Sequence, residues 1–439
     1  MHAPKGELVR SIGLFALVVY GVGDMVGAGI YGTIGVAAGK LGNAVWLAFV
    51  VSMIAALLTG LSYASLASRY PKAGGAAYIT ERAYQWKFLS YVVGLVVACS
   101  GLTSMAAASR VFATTLQPLL GLPPDWLIVL LFIAFLTVIN FRGIKECLWL
   151  NTLCTAIEIG GLLFVIAISV PYLGNVNYLE TPPSAGGLTF SLVMSGAVLT
   201  FFAFVGFEDM LNVAEEVKNP RQTMPWGIIM AVVIATVIYV MVSLAVVSVV
   251  AYAKLADPAQ GAPLAQLTRI AAPWLPHHTY TAITLFAVGN TALLNFIMGS
   301  RLIYGMARQQ LLPGALGVVH PTRHTPHRAI LALAVLVTVL AFSGEVADLA
   351  SATSLLLLLV FALMNVALIV LKLRKDEEKG GLEIPFIVPV LGFLVCAGLI
   401  VSRLVGSAGM RAPLIAALLI VAISVLYFLI PRQVQETGR

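Results

Sequence analysis

Charge is what this sequence has least of. Lysine plus arginine number 26 and aspartate plus glutamate 19, together 10% of 439 residues. A soluble domain carries about 25%. So few charges cannot solvate the surface of an ordinary cytosolic enzyme of this size. A chain that is 60% hydrophobic is not disordered either. The net charge of +7 forms no basic patch with interleaved aromatics, because the basic residues stand between apolar runs; nucleic acid is excluded as a partner. Cysteine is scarce as well. Cys99, Cys147, Cys154 and Cys396 lie in or beside apolar segments, have no metal-ligand spacing and imply no disulfide staple. Nothing in the pattern asks for a cofactor or a resident metal.

What remains is long apolar runs, the composition of a polytopic membrane protein. A helix needs about 20 apolar residues to cross the hydrocarbon core. Twelve segments fit, at about 11–37, 43–68, 88–116, 125–141, 148–170, 188–212, 225–252, 278–306, 328–343, 346–372, 384–403 and 412–431. Ser343-Gly344-Glu345 is the thinnest boundary among them. Met1–Arg10 leads into an apolar run longer than a signal peptide with no small-residue cleavage site, so it reads as the approach to a first transmembrane helix.

An even number of spans puts both termini on one side. With the N-terminus inside, only Lys40, Arg110, Lys254, Arg269, Arg403 and Arg411 of the 26 basic residues fall outside. The positive-inside rule therefore predicts two cytoplasmic termini in a plasma or inner membrane. Arg301 and Arg308 are counted among the cytoplasmic charges, and the mixed-charge run Lys372–Lys379 reads as a solvated loop. His320, His324 and His327 read as part of a solvated basic loop.

Two spans are interrupted. The first contains Gly21, Gly23, Gly27, Gly29 and Gly32, and each glycine inside a helix costs about 0.5–1 kcal/mol relative to alanine. The sixth reads Phe201-Phe202-Ala203-Phe204-Val205-Gly206-Phe207-Glu208-Asp209, with a glycine and two acids inside an apolar run. Close helix packing of the Gly-x-x-x-Gly type, through Gly23 and Gly27, would also account for the glycines. Interruptions at corresponding places in two halves instead point to a secondary transporter's binding site. Free amides at a half-helix start favour an anion and free carbonyls at a half-helix end favour a cation; a zwitterionic amino acid offers both. The candidate substrate-binding residues are Met25, Val26, Gly27, Ala28, Gly29 and Ile30 in the first span, and Phe202, Phe204, Val205 and Gly206 in the sixth. Amides of Gly27–Ile30 are expected to meet the carboxylate, and carbonyls of Met25, Phe202 and Val205 the ammonium.

These residues resemble a known family. Gly21-Val22-Gly23-Asp24-Met25-Val26-Gly27-Ala28-Gly29-Ile30-Tyr31 is similar to the first-span signature of the amino acid–polyamine–organocation (APC) transporters. So are Tyr70-Pro71-Lys72-Ala73-Gly74-Gly75-Ala76-Ala77-Tyr78, Arg142-Gly143-Ile144-Lys145-Glu146, Glu215-Glu216-Val217-Lys218-Asn219-Pro220, and Ser300-Arg301 with Met306-Ala307-Arg308 and Leu312-Pro313. The resemblance runs in order over about residues 10–330. It implies an all-α membrane protein of the LeuT-type 5+5 inverted-repeat fold, a single transporter domain over 1–439. Its repeats would be 11–170 and 188–372, with extra helices over 384–431. It also implies alternating access and transport of an amino acid or amine. A membrane-embedded enzyme such as an acyltransferase would need a His/Asp or Ser nucleophile constellation at the membrane face, and none is visible, so no enzymatic activity is expected.

Three acids stand where the membrane should be dry: Asp24, Glu158 and Glu208. An intramembrane ionisable residue is a functional candidate by default. Many relatives in the family carry a lysine at the place Glu158 resembles, so the sign of the charge is reversed here. Glu158 is expected to carry the coupling proton or help hold a cation, with Asp24 as its neighbour across the first span. Glu208 resembles a gating carboxylate, and Asp209 is expected to turn toward polar neighbours rather than substrate. Asn290, Thr291 and Asn295 are read as interhelical hydrogen-bonding groups, with sodium as the alternative coupling ion. The function expected is proton-coupled amino acid transport. Uncoupled exchange is the runner-up mechanism, and a polyamine or cationic amino acid exchanger the alternative substrate reading.

Overall fold

Hydrocarbon offers no partners to a backbone N–H or C=O, so an apolar run that enters it folds as a helix. The computed structural model describes residues 8–120, 123–257, 262–343, 346–374, 377, 379–405 and 411–429. Among them regular structure is helical throughout, apart from one isolated bridge between Ile12 and Val217. Both chain ends, the Gly344-Glu345 boundary and the side chain of Ala28 lie outside the described residues.

In chain order the helices are α1 (Leu14–Val26), α2 (Ala28–Leu41), α3 (Val45–Arg69), α4 (Gly75–Tyr84), α5 (Lys87–Leu120), α6 (Asp125–Arg142), α7 (Ile144–Ser169) and α8 (Phe190–Thr200). There follow α9 (Pro220–Val249), α10 (Tyr252–Leu255), α11 (Pro263–Ala271), α12 (His277–Arg308), α13 (His327–Phe342), α14 (Val346–Leu373), α15 (Ile387–Val405) and α16 (Arg411–Leu429). Among the described residues all twelve apolar segments contain helix, and eleven helical stretches are long and apolar enough to cross a membrane. The exception is the ninth segment, α13, whose 16 residues fall short of a spanning length.

The bundle has two end faces. At the first, the strand-like lead into α1 zips onto the end of the sixth span: Ser11 and Ile12 donate their amides to the Glu216 carbonyl at 2.8 and 2.9 Å, and Lys218 returns one to Ile12 at 2.8 Å. The α14–α15 loop is clamped there too. Glu383 accepts from Arg69 at 2.7 Å and from Lys372 at 3.3 Å. Glu377 accepts from Arg82 at 3.1 Å and from the Tyr70 hydroxyl. The run expected to be a solvated loop is therefore tied to α3 and α4, because opposite charges alternate along it and along the facing turn. At the second face, Asn43 donates to the Asn177 carbonyl at 3.2 Å and Trp46 to the Tyr178 carbonyl at 3.1 Å. Between the faces runs one continuous apolar core, with Tyr63 edge-on to Phe207 at 5.5 Å and Phe207 stacked on Phe361 at 5.3 Å. The last helix, α16, fully buries only Ala416 and Ile423, packs Ile415, Leu419 and Ile420 partly against the core, and leaves Leu414, Leu418, Val421, Val425, Leu426 and Leu429 exposed.

Candidate functional site

Both expected breaks are present, and they touch. The first span stops being helical at Gly27 (φ −44°, ψ −123°), between α1 and α2. The sixth continues from α8 into a 3-10 turn, Phe201–Phe204. It then breaks at Val205, which is extended, and at Gly206, with φ +132°. It resumes as a ten-residue 3-10 helix, Phe207–Glu216. A β-carbon on Gly29 would lie 2.9 Å from the Ala203 α-carbon, and one on Gly206 only 3.0 Å from the Asp24 carbonyl carbon. Only glycine lets the two breaks approach this closely.

Close glycine packing is present as well, at different residues. Gly21 lies against Met210 and Ala231, while Gly23 lies against Thr155, Asn151 and Asn290. Gly27 serves both purposes, since a β-carbon there would run into the Thr291 hydroxyl.

A cavity of about 550 Å³ opens where the breaks meet. Of the residues singled out in the sequence, Asp24, Met25, Gly29, Phe202, Val205, Gly206 and Glu208 line it, together with Asp209. Ser100, Thr103 and Ser104 of α5, Thr291 and Asn295 of α12, and Thr353 and Ser354 of α14 supply a wall of small polar groups. Among the described residues three carboxyls face the cavity and no lysine, arginine or histidine does. Its α5 and α12 walls run from mid-helix toward the second face, and Ala262 of the second-face connection closes one side. Val26, Ile30 and Phe204 do not reach it. They are fully buried in the apolar core, because helical winding on either side of a break turns alternate residues away from it.

The carbonyls are differently committed than expected. The Phe202 carbonyl already accepts the Val205 amide at 3.2 Å. The Met25 carbonyl accepts from the hydroxyl of Tyr239, on α9, at 2.6 Å, and the Ala203 carbonyl lies 2.7 Å from the same hydroxyl. One hydroxyl proton serves two acceptors, one from each broken span. Tyr239 is wholly buried, with its ring edge-on to Phe204 at 5.1 Å. The amides at the start of α2, by contrast, have no carbonyl one turn back within that helix.

The acids also group differently. The Glu208 carboxylate folds back and accepts the Gly206 amide at 2.8 Å, which caps the half-helix it begins. Asp209, expected to turn toward polar neighbours, lines the cavity with its carboxyl within reach of that of Asp24. Glu158 is fully buried on α7, one turn beyond Thr155 and two beyond Asn151. The Asn290 side chain lies nearby, but neither Glu158 oxygen has a well-formed hydrogen bond among the described residues. Asn290 donates instead to Thr155 at 3.0 Å, and Thr155 to Asn151 at 3.1 Å. Asp24 thus turns to Asp209 across the break. It lies within electrostatic reach of Glu158, but no hydrogen bond joins the two.

Below the cavity, toward the first face, the bundle is sealed. Arg301, counted from the sequence among the cytoplasmic charges, is fully buried in α12. It donates to Glu216 at 3.1 Å, to Asn140 of α6 at 2.6 Å and to Ser300 at 2.9 Å. Gly305 packs directly on the backbone of Ala73 and Gly74 beside it.

Sequence reasoning passes over Tyr239 and sets Asp209 and Arg301 aside. A single tyrosine amid the aliphatic run Val237-Ile238-Tyr239-Val240 is the available signal, since a buried phenol needs a polar partner.

Comparison with known proteins follows the same lines. The profile of the amino acid permease family matches residues 12–433. A branched-chain amino acid permease of Bacillus subtilis is 28% identical over 429 residues, covering 91% of this chain and 90% of its own. A methylthioribose transporter of the same organism is 27% identical over 415 residues, covering 89% and 87%. A vacuolar cationic amino acid transporter of Arabidopsis thaliana is 29% identical over 386 residues, covering 83% and 64%.

Proposed function

Since the chain belongs to the amino acid permease family, we propose that it moves an amino acid through the cavity between the two helix breaks, driven by protons. One observation carries this reading: a half-helix start and three carboxyls meet in one cavity of about 550 Å³. The α-carboxylate is held by first-turn amides of α2, Gly29 among them, where the helix dipole favours an anion. The ammonium is held on the Asp24–Asp209 side of the break. The side chain lies toward the hydroxyl wall of α5 and α14.

Two carboxyls close enough to hydrogen-bond do not both ionise; they share a proton or a cation. Asp24 with Asp209 is one such pair. A buried carboxyl without a well-formed hydrogen bond, as Glu158 is, is stable only when protonated or neutralised by a cation. Loading and release of a proton at these two places is the coupling step, with sodium at Glu158 as the alternative.

The architecture proposed is a 5+5 inverted repeat over 11–170 and 188–372, with 384–431 added. The first face is cytoplasmic, in a plasma or inner membrane, as the distribution of basic residues favours. With that orientation the cavity faces outward while Arg301 and Glu216 close the inside.

A second reading is favoured by the absence of any basic side chain from the cavity wall among the described residues: a cationic amino acid or polyamine as cargo, moved by exchange. Uptake into proteoliposomes separates these. Leucine-type substrates are expected to accumulate under an imposed pH gradient, and both Glu158→Gln and Asp24→Asn to uncouple uptake from it. Uptake that ignores the gradient and survives Glu158→Gln rejects proton coupling. Arginine or putrescine outcompeting neutral amino acids establishes the second reading.

A further inference from the structure

On the far side of α7 and α12 from the transport cavity lies a second cavity of about 550 Å³, between α5, α6, α7 and α12. Its walls are hydrocarbon apart from the thiol of Cys154. Phe112 and Phe132 stack at 4.1 Å in its depth, against Gly289. It opens sideways, where Leu131 is 60% and Phe135 51% exposed. In a bundle that spans a bilayer, that opening faces acyl chains.

A further hollow of about 480 Å³ shares Phe135 and Leu150 with it and carries it to the first face. There the lining changes to Arg142, Lys145, Glu146 and Trp149. Glu146 folds back over Gly143, 2.6 Å from where a β-carbon would stand, at the start of its own helix. Arg142 and Lys145 are exposed there and outnumber the exposed Glu146, beside a tryptophan that is 68% exposed. Tryptophan concentrates at the membrane–water boundary, and basic pockets between helices at that depth take anionic headgroups. From Ile128 to Arg142 the trench runs about 21 Å along α6, against roughly 15 Å for the hydrocarbon of one leaflet.

We infer that this trench is a binding site for one anionic phospholipid, with an acyl chain between α6 and α12 and its phosphate on Arg142 and Lys145. Hydrocarbon below and positive charge above match that molecule and no soluble one. The site has a mechanical neighbour. Gly289 in its wall adjoins Asn290 and Thr291, and Cys154 adjoins Thr155, so the occupant buttresses the same two helices that carry the buried polar cluster beside Glu158.

The test is thermal melting of the purified full chain in detergent, titrated with phosphatidylglycerol, phosphatidylcholine of the same chains, or inorganic phosphate. Phosphatidylglycerol is expected to half-saturate at roughly 10- to 30-fold lower concentration than phosphatidylcholine, the ratio set by two basic side chains at an anionic headgroup. Phosphate alone should do nothing. Arg142→Gln with Lys145→Gln should erase the preference, and both positions lie at the periphery, where folding is unaffected. Gly289→Leu, which fills the trench, should weaken both lipids. Equal response to the two lipids in the native chain, a preference that survives the double substitution, or stabilisation by phosphate alone each overturns the proposal. Native mass spectrometry provides a readout independent of melting: a retained phosphatidylglycerol adduct that Gly289→Leu abolishes supports the site, and one that it leaves intact rejects it.

Discussion

The hydroxyl of Tyr239 stands 2.6 Å from the carbonyl of Met25, at the end of the first half-helix. The same hydroxyl reaches the Ala203 carbonyl at 2.7 Å, so a single proton holds the two interrupted spans together. Tyr239→Phe removes that shared donor from both. Leaving a buried acceptor unsatisfied costs about 1–3 kcal/mol, so the variant should melt earlier and bind substrate more weakly. Tyr63→Phe is the control, since the Tyr63 hydroxyl has no partner among the described residues; its melting should stay at or above that of the native chain. Equal melting of the two variants refutes the bridging role.

Gly206 is held at φ +132°, with Asp24 only 3.0 Å from any added β-carbon. Gly206→Ala should cost about 1–3 kcal/mol in backbone strain and abolish uptake. Gly160 has nothing within 4 Å of an added β-carbon and lies inside α7. Gly160→Ala should instead stabilise by up to about 1 kcal/mol. Melting curves and uptake assays on the pair check both signs.

Arg301 and Glu216 form a buried ion pair, with side chains 0% and 1% exposed. Arg301→Met alone strands a buried carboxylate and should destabilise by about 3–5 kcal/mol. Adding Glu216→Leu should recover much of that loss. If the double variant melts no higher than the single one, the pair is not what holds that face closed.

At the first face, Glu383 and Glu377 titrate below the ordinary carboxylate range of about 4.3. Burial alone would raise Glu383, but the Gly380 amide and the Arg69 and Lys372 cations outweigh it. Burial likewise opposes Glu377, and the Tyr70 hydroxyl and Arg82 outweigh it. A depressed folded value means the clamp is fully effective above the unfolded value and is lost as pH falls through the folded one. Melting temperature should therefore drop as pH falls below the ordinary carboxylate range of about 4.3, and Glu377→Gln with Glu383→Gln should flatten that limb. An unchanged acid limb counts against the clamp.

The two breaks are legible in the sequence because backbone rules act locally. Glycines clustered in the first span, and Gly206 ahead of two acids in the sixth, are hard to reconcile with unbroken helices. The third dimension is not legible. Asp24 precedes its break and Glu158 sits mid-span, and nothing in their spacing says that α1 presents Asp24 to Asp209 instead. Val26 and Ile30 belong to the right segment but the wrong side of it, since a break changes helical phase by an angle no sequence states. Arg301 looks like a loop charge because its partner lies 85 positions away.

The 3-10 winding of Phe207–Glu216 has a consequence of length. Ten residues cover about 20 Å in that form and about 15 Å as an α-helix. An α-helix of the same ten residues would end about 5 Å short, farther than an ion pair stretches, so the 3-10 winding is what gives Glu216 the reach to meet Arg301 on α12.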